Sequence, residues 1–522
     1  MRKIALISVL LALAGLAWYF IAGAKPSEGQ TASMPQGDEQ QNLIVVTPWE
    51  ITSTDPSKSG FIFQRLQLAE TLVDAAQNAD LQPMLAQSWS ANDQGDVWTF
   101  VLRDGVKFHD GSPLTADDVV KSLDVALTKP TALESALISK ITAIDSKTVE
   151  ITLEKPLMSF PAYLAHATSI ILAKSSFDDN NEVKELIATG PYYVTKIEPP
   201  QKIEQKAFAD YWGEKAKIQD VTYLANSRSE TRTLLAQSKP NYLVFTLDSA
   251  SLARLQQDPN LQVKSKSLSR TIQYKVNAKN PLFSDVNVRQ ALSDAIDRQG
   301  IAQSVMRADN AAANQILPPI FKDWQINTPT QTPDPQAIKQ RLLDLGFTAD
   351  ANGMLQKEGK PFKFTLRTFS DRPELPIIAT ALQAQWKKIG VDVDVSVGNF
   401  SEIPAGHQDG TLEMALYARN YGMTPDPVGS LIEDFDPKGS DWGVMNWQDS
   451  ELSDSLSKLE TTKDNDSDNN IATKQKVSKI IYDERPIVPV VYYQQNAAAH
   501  KSLKGLEIDG LERNFYLNKL SW

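Results

Sequence analysis

Cysteine is absent from the 522 residues. That removes disulfide frameworks, thiolate metal sites, thiol nucleophiles and lipid attachment through an N-terminal cysteine. Histidine is scarce: His109, His166, His407 and His500 are scattered without the short spacing of a metal site, so no direct ligation of a metal by the protein is expected. A Gly-x-Ser-x-Gly elbow and a His-Glu-x-x-His helix are also missing, and many carboxylates without a defined pocket do not make a hydrolase. The net charge is −11 with no basic stripe to offset it, which argues against nucleic acid as a partner. Asp464, Asp466 and Asp468 imitate the start of a calcium loop, but Asn469 and Gln475 stand where Gly and Glu belong, so a solvated loop is expected. No repeat of fixed period is visible. What remains is the composition of a folded chain, 42% hydrophobic and 22% charged, long enough for two large lobes with appendages.

The N-terminus carries an export signal. Arg2 and Lys3 precede an apolar run from Ile4 to Ala24. Ala22-Gly23-Ala24 has the small-x-small form that a signal peptidase reads, which favours a cleaved secretory signal over residues 1–24. The same run would also span about 30 Å of hydrocarbon as a retained membrane anchor, with Trp18-Tyr19 at the interface. Both readings put the remainder outside the cytoplasm. Residues 25–41, rich in Pro, Gly, Ser and Gln, read as a linker.

From Asn42 onward, strand and helix patterns alternate, the signature of mixed α/β layers. Leu43 to Val46 suits a buried strand, and Val97 to Leu102 and Thr148 to Leu153 read as further strands. Phe63 to Ala76 spaces Phe63, Leu66, Ala69, Leu72 and Val73 as one helical face. Thr115 to Asp118 opens another helix as a capping-box variant. A second body begins near Ser269, with a strand at Gln273 to Asn277 and a helix over Val286 to Arg298. A strand-helix-strand unit follows at Lys363 to Thr368, Ile377 to Ile389 and Val391 to Val395. Strand character returns at Ile487 to Tyr493.

Several of these segments resemble one family. Leu85-Ala86-Gln87-Ser88-Trp89-Ser90 and the run from Trp98 to Val119 (WTFVLRDGVKFHDGSPLTADDV) lead the match. Thr189-Gly190-Pro191-Tyr192, Asp210-Tyr211-Trp212-Gly213, Asn277 with Pro281, Phe283 and Asp285, and Val288-Arg289-Gln290-Ala291-Leu292 follow in order. Together they resemble the solute-binding proteins of ABC importers that take oligopeptides, dipeptides and nickel complexes, family 5, over nearly the whole chain from Asn42. Physically, Asp104-Gly105 and Asp110-Gly111 are turns and Thr115 is a cap, so this signature is scaffold and need not touch a ligand.

The resemblance implies an α/β, two-lobed periplasmic-binding-protein fold of type II-like architecture, with a hinge and a large extra subdomain in lobe I. It assigns 42–268 and 487–522 to lobe I and 269–486 to lobe II. It implies an extracytoplasmic, periplasmic receptor, monomeric and without cofactor, that closes on a small polar ligand and hands it unchanged to an ABC permease in the inner membrane. A membrane-tethered sensor built on the same fold, or an exported hydrolase, are the alternatives.

For the ligand, Ala418 to Pro427 (ARNYGMTPDP) is similar to the family's ligand-facing loop, and its Arg-x-aromatic-Gly start most resembles nickel-complex receptors. Met423 stands where dipeptide receptors keep an aspartate for the ligand's ammonium, which disfavours a free-amine peptide. Yet the segments Thr131 to Ser139 and Ala165 to Ala173 lack the arginines that nickel receptors use there, which disfavours a tricarboxylate chelate. Arg419 is expected either to grip a ligand carboxylate or to pair with an acid such as Asp426, and Tyr421 to stack on the guest. Trp49 and Phe63 fall where relatives put ligand-facing aromatics.

Overall fold

The computed structural model describes residues 42–329, 332–436, 440–461 and 468–522. The export segment, the linker and most of the aspartate-rich stretch therefore lie outside the described residues, although Asp468 itself opens the helix Asp468–Glu484.

A ten-stranded sheet runs through the molecule. Its lobe I half is built on Asn42–Thr47, which pairs in parallel with Asp220–Ala225 on one side and Tyr242–Phe245 on the other. That central position buries both faces, which is why Leu43, Val45 and Val46 form an unbroken apolar run. Lys202–Ala207 and Tyr192–Glu198 complete this half by antiparallel pairing. In the lobe II half, Lys363–Phe369 lies parallel to both Asp392–Gly398 and Met414–Asn420. The helix Glu374–Lys388 makes the crossover, and its Leu375, Ile378, Leu382 and Trp386 pack into the lobe II core.

Two long antiparallel strands, Leu261–Val276 and Ile487–His500, join the halves. Leu261 to Ser267 pair with Gln494 to His500 on the lobe I side, and Thr271 to Lys275 pair with Ile487 to Tyr492 on the lobe II side. Between them the register shifts, from Ser267 to Thr271. The chain thus crosses within these strands. Ile487 to Tyr492 ladder onto the same strand that pairs with Met414–Asn420.

A separate antiparallel sheet of Ala86–Ala91, Val97–Leu102, Thr148–Leu153 and Ile138–Ala143 forms the extra subdomain. Strict alternation in Val97–Leu102 and Thr148–Leu153 buries one face against the helix Ala116–Leu127. At the start of that helix the Asp118 carboxylate accepts the Thr115 backbone N–H at 3.1 Å. Gly105 and Gly111 take left-handed φ of 74° and 86°, as the two turns require.

Helix boundaries differ from the periodicity in places. The helix near Phe63 is Pro56–Arg65, started by Asp55 and Pro56. It stops because Gln67 turns left-handed at φ 56°, while Leu66, Ala69, Leu72 and Val73 are buried in non-helical backbone. The helix at Val286 ends at Asp294, and Asp297 caps a fresh one at Arg298. No described helix is long and apolar enough to cross a membrane.

Candidate functional site

Between the lobes lies a cavity of about 1150 Å³, and its wall comes from three places. Lobe I contributes Pro48 and Trp49 from the end of its central strand, and the first turns of the helices Ser229–Ser238 and Ser249–Gln256. Lobe II contributes Asp371 to Glu374 after the strand Lys363–Phe369, together with Tyr417, Arg419, Met423 and Trp442. The crossing strands contribute Arg270, Tyr493, Gln494 and Asn496. The Ser249 hydroxyl donates to the Val305 carbonyl at 2.8 Å, so the lobes touch across the rim.

The cavity is electropositive at the crossing. Glu512 is a buried carboxylate that accepts Arg270 Nη2 at 2.9 Å and lies 3.7 Å from Arg65 Nη2. Burial opposes its charge, but Arg270, Arg65 and Arg372 outweigh burial and hold its carboxyl below the usual range. Arg65 stacks over Trp49 at 4.4 Å, which fixes that ring at the cavity wall. Tyr493 lies near two guanidiniums, with Arg270 at 5.6 Å and Arg372 at 5.2 Å from its ring. The helices beginning at Ser229 and Glu374 aim N-termini without side-chain caps at the same space, adding partial positive charge.

Three polar atoms of cavity-lining residues lack partners among the described residues: Arg270 Nε, Glu374 Oε1 and Thr246 Oγ1, all shielded from water. A buried donor and a buried acceptor left open are an unmet demand worth about 1–3 kcal/mol each, more where the group is charged. Native chains retain such atoms where something else completes them.

Arg419 is the opposite case. Its Nε and Nη2 reach Asp434 at 2.9 and 2.8 Å, and Nη2 reaches Glu433 at 2.8 Å. Asp434 is fully buried, and burial raises its carboxyl to about 6 against the pull of Arg419. Of the two roles expected for Arg419, pairing with an acid is the one present, though the acids are Asp434 and Glu433. Asp426 instead accepts the Val428 backbone N–H at 2.9 Å at the start of the helix Val428–Phe435 and does not line the cavity.

Trp49, Arg419 and Met423 thus share one wall. Tyr421 does not join them: it is buried in the lobe II core, its hydroxyl bonded to Gln273. Neighbouring strand residues point to opposite faces, so Arg419 and Tyr421 would share a side, but the strand ends at Asn420 and the chain turns. Phe63 is likewise core, on the inner face of its helix. Met423 is 56% exposed. Arg270, Arg372, Glu374 and Tyr493 were missed by the motif comparison. Asp371 to Glu374 carried a usable signal, since ligands of open α/β sheets bind beyond the carboxyl ends of strands and Phe369 is such an end.

The model for bacterial extracellular solute-binding proteins, family 5, matches residues 80–442. The chain belongs to this family. It is the substrate-binding protein of an ABC importer, two-lobed and α/β, from a family of binding proteins. Among curated proteins, this family 5 receptor is 24% identical to the dipeptide-binding protein of Escherichia coli over 84% of its own length and 85% of that chain. It is 26% identical to the nickel-binding periplasmic protein of the same organism, over 81% and 80%. The solved nickel ABC transporter structure from Bacillus halodurans superposes with a TM-score of 0.80 at 25% identity, covering 92% of the receptor and 99% of that chain.

Proposed function

We propose that this receptor captures a short peptide with a free amino group and a free carboxylate, and delivers it chemically unchanged to the permease. One observation carries this: side chains of both signs, Arg270 and Arg372 with Glu374, line one cavity beside Tyr493. A zwitterion satisfies both at once. The excess of guanidinium over carboxylate around Glu512, with the uncapped helix N-termini, suits the carboxylate end. Glu374 supplies the ammonium acceptor that Met423 cannot. The volume, above the ~300–1000 Å³ usual for small-molecule sites, leaves room for side chains of several kinds.

A ready-made metal chelate is the second reading. It is supported by the 26% identity to a nickel-binding relative and by the similarity of the loop from Arg419 to Gly422 to nickel-complex receptors. No histidine lines the cavity, so such a metal would arrive with its own donors. The receptor is periplasmic and monomeric, with 42–268 and 487–522 in lobe I, 269–486 in lobe II, and residues 1–24 cleaved as a signal peptide or kept as a membrane anchor.

Native mass spectrometry of receptor purified without refolding gives the mass of the co-purified guest and separates peptide from chelate. Calorimetry with one tripeptide in free, N-acetylated and C-amidated forms then tests the anchoring. Equal affinity for all three overturns it.

A further inference from the structure

A second polar cavity, of about 190 Å³, lies in lobe II. Arg298 and Arg485 both line it, with Tyr482, Ser293 and the carboxylates Asp294 and Asp297. Arg485 is only 7% exposed, yet its side chain meets no acceptor: Nε is buried without a partner, and the guanidinium rests 3.7 Å above the Tyr482 ring. Arg298 donates to neutral acceptors, the Pro489 and Ser293 carbonyls at 3.0 and 2.8 Å and the Ser293 hydroxyl at 2.8 Å.

The nearby acids are engaged elsewhere. Asp294 holds Arg341 at 2.9 Å, and exposed Asp297 caps its own helix by accepting the Gly300 N–H at 2.8 Å. No carboxylate comes within ion-pair distance of either cavity arginine among the described residues. Burial and the like charge of Arg485 push the Arg298 guanidinium down to about 10, against the pull of Tyr274 and Asp294.

We propose that this recess binds a small oxyanion of the phosphate or sulfate class, held by the Arg485 fork over Tyr482 and by the field of Arg298. The fork is planar and open, the geometry in which arginine takes two oxygens at once. At roughly 30 Å³ per water, the space admits one such ion with some of its hydration. The site shares no lining residue with the peptide cleft.

The test uses the whole exported chain. Thermal unfolding and calorimetry are run with sodium phosphate, and separately with glycerol phosphate, against sodium chloride at matched ionic strength. Wild type is expected to gain stability saturably with phosphate, and Arg485→Gln to weaken that response at least tenfold while leaving cleft-ligand affinity unchanged. Saturation by inorganic phosphate alone assigns the free ion, and saturation by both assigns a phosphoryl group in general. An equal, non-saturating response in wild type and variant is a bulk salt effect and overturns the site. If Arg485→Gln does not fold, wild-type crystals soaked in selenate decide the matter: an anomalous peak in hydrogen-bond reach of Arg485 supports the site, and its absence there sinks it.

Discussion

Two arginine-bearing stretches of the same cleft behave differently. On the lobe II wall, Arg419 is closed on Asp434 and Glu433, so its Nε and Nη2 are engaged without a guest. At the crossing and on the lobe II wall beside it, Arg270 and Glu374 each keep a buried atom without a partner among the described residues, and Arg372 lies 5.2 Å from the Tyr493 ring. A charged residue next to a ligand is therefore not equivalent to one that recognises it. The distinction lies in which hydrogen-bond positions the fold has left vacant.

The largest effect that would break this contrast is on stability. Arg419→Ala strands Asp434 in the core, and denaturant unfolding of the unliganded receptor is expected to show a loss of about 3–5 kcal/mol. The loss should depend on pH with a definite sign. Asp434 in the fold is already raised above its ordinary value, to about 6, and without Arg419 it rises further. The native variant then binds more protons than the unfolded chain, so its stability falls as pH rises from about 4 through 6 and beyond. A variant that unfolds like wild type but has lost its ligand would place Arg419 among the recognition groups after all.

Next comes recognition at the crossing. Arg372→Ala is expected to weaken a tripeptide at least tenfold, about 1.4 kcal/mol or more by calorimetry, with unfolding free energy within about 0.5 kcal/mol of wild type. Glu374→Gln should act more selectively, erasing most of the preference for free-amine over N-acetylated peptide and leaving the C-amidated comparison intact. The smallest effect belongs to Met423→Asp. Because that side chain is more than half exposed, affinity for a free-amine peptide should improve only a few-fold, less than about 1 kcal/mol. A larger gain would show that the ammonium sits at the loop and not at Glu374.

Much of the fold was legible because its signals are local. The turns at Gly105 and Gly111, the Thr115 cap and the alternation of Val97–Leu102 each follow from a few neighbouring residues. The site was less legible because it is assembled from a distance. Trp49, Arg419 and Met423 reached the wall through segments that resemble the family's ligand loops. Tyr421 and Phe63 sit in those same segments but turn into the core, which depends on where a strand or helix ends. Arg270, Tyr493 and the Arg372–Glu374 pair come from three separate segments: the pairing of Leu261–Val276 with Ile487–His500 brings the first two together, and the end of the strand Lys363–Phe369 brings the third. The missing partner of a buried atom is invisible until every neighbour is known.

The two lobes are joined by a laddered ribbon whose register slips between Ser267 and Thr271, and Arg270 and Tyr493 ride on that slip. Points on a rotation axis move least. As the walls swing apart these two side chains would stay nearly still, so a guest could be caught at the pivot of the open molecule and the walls would arrive afterwards.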